Sequence, residues 1–175
     1  QWTATVEHQD RPGNTGTLGA GDVQWMTAGS GIMHQEMPTG NLQGQMHGFQ
    51  LWANLPGSIK MTSPRYQDVK GKEIPEITDD DGTIVRVITG KFWGQHGPVD
   101  GIAADPLYLD ICVPAGQFKR FKVDTYRNTF AYIFQGSGKF VDASNPKGVL
   151  LEKEVMGQEL NLSLIHISEP TRPMN

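Results

Sequence analysis

The sequence is poor in cysteine, in clustered positive charge and in long apolar runs. Its 175 residues include one cysteine, Cys112, which excludes an internal disulfide framework and fits a reducing compartment. The net charge of -4, without a run of Lys or Arg, gives no basic patch for nucleic acid. No apolar stretch approaches the ~20 residues that span a bilayer. We therefore expect a cytoplasmic protein, or a nuclear one in a eukaryote, that binds neither membranes nor nucleic acid directly.

Long helical stripes are also lacking, whereas turn residues are plentiful. The 21 Gly and 11 Pro residues lie between short apolar runs, which favours an all-β chain. Alternation of apolar and polar residues predicts strands in both halves of the chain. We expect them at residues 2–8, 22–26, 32–37 and 48–55, and then at 84–89, 107–113, 117–123, 129–134, 139–142 and 149–155.

The stretch with the clearest chemistry covers residues 19–38, GAGDVQWMTAGSGIMHQEMP. Side chains two residues apart on a strand point to the same face, so His34 and Glu36 converge on one side of the predicted strand. A mixed imidazole and carboxylate set suits Fe(II), Mn(II), Ni(II) or Zn(II). From the spacing alone, a hydrogen-bonded histidine beside a rim carboxylate is the alternative.

The same stretch resembles the second metal motif of the pirin family, within the cupin superfamily. The resemblance continues through residues 47–56, HGFQLWANLP, and residues 64–68, PRYQD. It implies two tandem jelly-roll β-barrels, with iron held in the first barrel by three histidines and one glutamate. His34 and Glu36 match the third histidine and the glutamate of that set.

The other two histidines of the family belong to an upstream motif, HPHRGFE, which is not found in this sequence. We therefore expect a first cupin domain that is incomplete at its N-terminus, with half of the metal site and weak or no iron binding. For the intact protein the resemblance implies a monomeric flavonol 2,3-dioxygenase that acts on quercetin with Fe(II), or another divalent transition metal, and O2. Glu36 would be both a metal ligand and the catalytic base. The alternative is an iron-dependent redox sensor or transcriptional co-regulator that acts through a partner protein.

The predicted organisation has four parts. Residues 1–58 form the partial first cupin, and residues 59–83 form a linker. Residues 84–162 form a degenerate second cupin, in which Lys122, Asp124 and Thr129 stand at the spacing of the cupin ligands. Lys122 would repel a divalent cation, so we expect no metal there. Residues 163–175 fit neither the strand pattern nor the family and are predicted to be a non-native extension, so His166 is not counted as a ligand.

Other residues that could carry chemistry receive structural interpretations. His8 is expected to be a strand or rim residue, and His47 a pocket-wall residue or an outer partner of the metal ligands. Residues 79–82, DDDG, lack the ligand spacing of an EF-hand and are predicted to form a solvated turn. An apolar, methionine-rich set is expected to lie mostly in the barrel core, with some members lining a slot for a flat aromatic ligand; it comprises Trp25, Met26, Met33, Met37, Met46, Phe49 and Trp52.

Overall fold

The chain is built from short antiparallel strands. The computed structural model describes residues 5–10, 15–102, 104–124, 127–140, 147–148 and 163–167. These residues contain two single-turn 3-10 helices, Gly57–Ile59 and Gly71–Glu73, and no α-helix. The strands are β1 Thr5–Asp10, β2 Thr15–Leu18, β3 Val23–Thr27, β4 His34–Thr39, β5 Arg65–Val69, β6 Glu76–Thr78, β7 Ile84–Thr89, β8 Lys91–Phe92, β9 Gln95–His96, β10 Tyr108–Cys112, β11 Thr129–Ile133, β12 Lys147–Gly148 and β13 Ser163–Ile167.

Most of the predicted strands are confirmed, and two are wrong. Strand β7 has the predicted bounds, and β1, β3, β4, β10 and β11 lie within one to three residues of theirs. Residues 48–55 and 117–123 have the alternation of strands but enter none of the sheets of the described chain, because no neighbouring strand supplies their hydrogen bonds. The predicted strand at 149–155 lies outside the described residues, as do residues 2–4 and 141–142 of two others. Residues 139–140, the described half of the strand predicted at 139–142, are not in a strand.

The chain divides into two compact units, Gln1–Lys119 and Arg120–Asn175. The first unit holds two three-stranded sheets, in the orders β2-β1-β4 and β10-β7-β6, and the two-stranded pairs β3-β5 and β8-β9. All pairings of named strands in this unit are antiparallel. Within the described residues, no helix is long and apolar enough to cross a membrane.

The hydrophobic core of the first unit lies at strand β7 and the segments packed against it. Val85 and Val87 on β7 are completely buried, as their alternation with Arg86 predicts. A cluster formed by Val69, Ile74, Ile88 and Val99 is also buried, and Val23, Trp25, Ile102 and Tyr108 pack against it. Strand β3, which belongs to the motif of residues 19–38, is thus anchored to the core.

Residues 59–83, expected to be a linker, contain strands β5 and β6. Strand β5 pairs with β3 over all five of its residues, and β6 pairs with β7. The hydrogen bond from the Gly71 amide to the Asp22 carboxylate, 2.7 Å long, also joins this segment to the first half of the motif. The four-part domain division itself stays a prediction.

The described residues of the second unit form a three-stranded sheet, in the order β11-β13-β12. Strand β13, Ser163–Ile167, pairs antiparallel with β11 and β12, and it lies in the segment predicted to be a non-native extension. The origin of that segment stays a prediction. Near the start of this unit, Arg127 Nε donates a 3.2 Å hydrogen bond to Asp124 Oδ2, so that the carboxylate at the cupin-ligand spacing has a guanidinium partner.

Candidate metal site

A glycine turn directs the chain into the strand that carries the predicted ligands. Gly29 and Gly31 have φ values of 52° and 125°, a region that side-chain-bearing residues rarely adopt. Between them, the Ser30 amide donates a 2.9 Å hydrogen bond to the Thr62 carbonyl, and the Gly31 amide donates one of the same length to the Ala28 carbonyl. The turn is therefore fixed both by its own backbone and by the distant segment at Thr62.

His34 and Glu36 lie two residues apart on β4, as the sequence predicts. His34 Nε2 is 3.8 Å from Glu36 Oε1, and the two side chains are 30% and 43% exposed. Every residue of β4 is exposed, and among the described strands β4 pairs only with β1. The two donor atoms thus lie close together at an accessible edge of the sheet.

The separation of these two atoms is compatible with a shared metal ion. Zinc-like ions bind imidazole nitrogen and carboxylate oxygen at ~2.0–2.2 Å, so two adjacent ligands of one ion lie about 3–3.5 Å apart. The observed 3.8 Å needs only a small side-chain rotation to reach that range. Among the side chains that the structure describes, no group of three His, Cys, Asp or Glu forms a metal cluster. The pair could therefore supply two ligands of an ion, and other groups would have to supply the rest.

The register of β1 against β4 was not predicted from the sequence. The Cα of His8 lies opposite that of Glu36, and the Cα of Asp10 lies opposite that of His34. His8 is a strand residue, as expected, but its place opposite a predicted ligand depends on a long-range pairing. No pattern within either strand specifies that register.

Large apolar side chains around the motif are more exposed than predicted. Trp25 packs against the core, but five of the seven residues expected mostly in the barrel core are exposed, and the prediction is wrong for Met33, Met37, Met46, Phe49 and Trp52. The exposed fraction reaches 85% at Trp52. The physical reason is that the described residues place no second layer over β4 and the segment that follows it.

His47 lies in this exposed segment and contacts an aromatic ring. Its imidazole meets the Phe49 ring edge-on, with centroids 5.2 Å apart and planes at 70°. This ring contact does not place His47 beside the candidate metal ligands His34 and Glu36. The predicted pocket-wall role of His47 stays a prediction.

The acidic turn at residues 79–82 is organised by a lysine. Lys119 Nζ donates to carboxylate oxygens of Asp79 and Asp81, the latter at 2.9 Å, and lies 5.2 Å from the centre of the Trp93 ring. Hydrogen bonds from Lys119 and from the Thr83 amide lower the pKa of Asp81 to about 2, and both aspartates raise the pKa of Lys119. The ammonium group thus offsets part of the charge of the two carboxylates, and this turn has a structural explanation.

Comparison with known proteins gives a consistent set of relatives. The family model described as Pirin matches residues 2–53. A pirin-like protein of Caulobacter vibrioides is 43% identical over 132 residues, which are 75% of this chain and 48% of that protein. Human pirin is 39% identical over 132 residues, or 75% of this chain and 44% of its own. A Pseudomonas aeruginosa protein named "putative quercetin 2,3-dioxygenase" is 38% identical over 136 residues, or 75% and 47%. The chain spans about half the length of these curated relatives.

Solved structures give the same fold. GK1651 of Geobacillus kaustophilus has a TM-score of 0.54 and 33% identity, over 75% of this chain and 49% of that one. A quercetin 2,3-dioxygenase of Acinetobacter baumannii has a TM-score of 0.52 over 95% of this chain and 55% of its own, and at 22% identity it informs the fold alone. The predicted all-β cupin fold is confirmed. With its family motif on strands β3 and β4 and pirin relatives along three quarters of its length, the chain belongs to the pirin family.

Proposed function

We propose that His34 and Glu36 bind Fe(II), and that the protein is a flavonol 2,3-dioxygenase that uses O2. The observation that carries this proposal is the 3.8 Å separation of the imidazole nitrogen and the carboxylate oxygen, both accessible, on β4. The similarity to the Pseudomonas protein named for quercetin dioxygenation supports the substrate class. Other divalent transition metals suit the same donor set.

The protein's own groups would have separate tasks in this reaction. A bound ferrous ion supplies Lewis acidity, which lowers the pKa of a coordinated hydroxyl as it does that of bound water. His34 would bind the ion through Nε2, and its other ring nitrogen, Nδ1, would then be left to hydrogen-bond a neighbouring group. Glu36 accepts the proton of the flavonol 3-hydroxyl through a carboxylate oxygen that is not engaged as a ligand. The resulting electron-rich enolate reacts with O2, and the central ring opens with loss of CO.

Turnover by the longest natural form of the protein that contains this chain tests the proposal. After anaerobic loading with Fe(II), we expect the quercetin absorbance to fall when O2 is admitted. Glu36→Gln should reduce the rate by ~10²-fold or more, which is the usual contribution of a general base. Gln35→Ala, a change at the next exposed position of β4, is the matched control and should keep the rate.

The outcomes distinguish the two functions that the resemblance implies. If the wild-type protein binds iron but leaves quercetin intact, the dioxygenase proposal is refuted and the redox-sensor alternative is favoured. If Glu36→Gln keeps the wild-type rate, Glu36 is not the base. The monomeric state, the cytoplasmic or nuclear location and the lack of direct nucleic-acid binding stay predictions from the sequence.

A further inference from the structure

A polar cavity in the first unit lies apart from the candidate metal ligands. It is open to solvent, has a volume of about 710 Å³, and forms where the end of the β3–β5 ladder meets the β6–β7 pair. The described residues that line it belong to the segments 20–22 and 70–72 and to strands β6 and β7, and they do not include His34 or Glu36. Pockets for small molecules have volumes of ~300–1,000 Å³, so the cavity has room for an organic molecule.

Hydrogen bonds between distant segments fix the walls of this cavity. The two carboxylate oxygens of Asp22 accept a 2.7 Å bond from the Gly71 amide and a 2.9 Å bond from Lys70 Nζ. Arg86 Nη2 donates a 2.9 Å bond to the Gly21 carbonyl. The backbones of Gly21 and Gly71 approach so closely that a Cβ atom on Gly71 would lie 3.0 Å from the Gly21 carbonyl oxygen. The walls are therefore in place before a ligand binds, which lowers the entropic cost of binding.

Charged side chains line the cavity, and they differ in how available they are to a ligand. The Asp22 side chain is 11% exposed and forms an ion pair with Lys70. Lys72 and Glu76 are both exposed, and within the described part of the chain neither forms an ion pair. The ammonium group of Lys72 and the carboxylate of Glu76 can therefore bind a ligand without breaking an ion pair of the protein.

Arg86 brings a second cationic group to the cavity. Its side chain is 23% exposed, and it donates to the Gly21 carbonyl and, at 3.4 Å, to the Asp110 carboxylate. A guanidinium group has five N–H donors, so these two bonds leave others for an oxyanion. Glu76 lies directly opposite Arg86 in the β6–β7 register, and its carboxylate can accept hydrogen bonds from hydroxyl groups.

We propose that this cavity binds a hydroxylated organic phosphate, with the phosphate between Lys72 and Arg86 and the hydroxyl groups on Glu76. An ammonium and a guanidinium group together suit the several oxygens and the charge of a phosphate. The Glu76 carboxylate repels an anion that lacks hydroxyl groups, because like charges repel. The proposal does not depend on the proposed function, since the cavity contains neither candidate metal ligand. The competing explanation is that Lys72 and Glu76 only contact water.

A titration of the nitrogen-15-labelled chain with glucose 6-phosphate tests this site, because backbone amide signals report where the sugar phosphate binds. We expect saturable shifts of the Gly21 and Gly71 signals. Lys72→Gln should weaken binding by ~10-fold or more, the usual loss for a hydrogen bond to a charged group. Lys91→Gln removes the same charge from an exposed position on β8 outside the cavity, and this matched control should keep the wild-type affinity.

Two smaller comparisons test the separate roles of the phosphate and the hydroxyl groups. Inorganic phosphate should bind the wild-type chain more weakly than glucose 6-phosphate does. Glu76→Gln removes the repulsion, so it should bind inorganic phosphate more tightly than the wild type and show a smaller preference for the sugar phosphate. If gluconate, which carries a carboxylate in place of the phosphate, binds as tightly as glucose 6-phosphate, the assignment to phosphates is refuted.

Three outcomes would refute the site itself. The first is the absence of saturable shifts in the wild-type chain, and the second is a set of shifts that leaves the Gly21 and Gly71 signals unchanged. The third is an equal loss of affinity in Lys72→Gln and Lys91→Gln, which would show attraction to the overall charge of the surface alone. None of these results changes the test of iron binding and quercetin turnover, so failure of this inference and failure of the proposed function are distinguishable.

Discussion

The glycine turn before β4 gives the sharpest test of how the motif is held. At Gly29, with φ of 52°, a Cβ atom would overlap the Thr62 carbonyl oxygen and lie 2.9 Å from its carbon and 3.3 Å from that of Ser63. These neighbours are backbone atoms, which cannot turn away as a flexible side chain can. Gly29→Ala should therefore force the turn and the Thr62 segment apart.

Two contributions set the size of the effect. A non-glycine residue in the left-handed region costs ~1–2 kcal/mol. Separation of the segments would also lose the 2.9 Å bond from the Ser30 amide to Thr62, a further ~1 kcal/mol. We expect Gly29→Ala to lower the free energy of unfolding by about 2–3 kcal/mol.

Two further glycines make this measurement selective. Gly44 has φ of 72° with nothing within 4 Å of its Cβ position, so Gly44→Ala should cost only the conformational part, ~1–2 kcal/mol. Gly48 has equally open space without a positive φ, and Gly48→Ala should change stability by no more than ~0.5 kcal/mol. Urea unfolding measures all three variants. If Gly29→Ala costs no more than Gly44→Ala, the close approach to Thr62 does not constrain the turn.

Three other predictions concern hydrogen bonds and buried side chains that stabilise the first unit. Burial raises the pKa of Asp22, but hydrogen bonds from the Gly19 and Gly71 amides and from Lys70 outweigh that effect and hold the pKa below its usual value. Asp22→Asn removes the charged acceptor of these bonds and should lower the free energy of unfolding by ~1.5–3 kcal/mol, measured by urea unfolding. The pKa of Asp81 is lowered from 3.8 to about 2, so its ionised form stabilises the folded chain above pH 4, and this stabilisation is lost as the pH falls toward 2. The urea midpoint should therefore fall in this acid range, and it should fall less in Lys119→Met. Val87→Ala removes two buried methyl groups and should cost about 2 kcal/mol by the same assay, and a cost under ~0.5 kcal/mol would contradict the burial of β7.

Local patterns in the sequence predicted much of this fold because some strands carry their own signal. Strand β7 alternates Val85 and Val87 with Arg86, and its bounds were predicted without error. The shared face of His34 and Glu36 follows from the two-residue period of a strand, and their 3.8 Å contact agrees with it. In both cases the relevant distance lies within one strand.

The features that were missed depend on pairing between distant segments. Strand β5, RYQDV, has no apolar alternation, and its hydrogen bonds come from β3, some forty residues earlier in the chain. Whether Trp52 is buried or exposed depends on which other segments pack over it, and the residues next to it in the sequence do not specify that. The register that sets His8 opposite Glu36 likewise depends on the pairing of two strands, and the sequence of neither strand alone specifies it.

The glycine turn and the donor side chain of His34 would contribute to a metal site in separable ways. A ligand that binds only the folded chain stabilises it by RT ln(1 + [L]/Kd), or ~2.7 kcal/mol at 100 times Kd. His34→Ala should leave the metal-free stability near the wild-type value and remove most of the gain on adding Co(II), because it deletes a proposed donor and keeps the backbone pairing of β1 with β4. Gly29→Ala should lower the metal-free stability and keep more of that gain, because every donor remains. If both variants lose stability and metal binding in equal proportion, the site depends on the general integrity of β4, and the separate role of His34 as a donor is refuted.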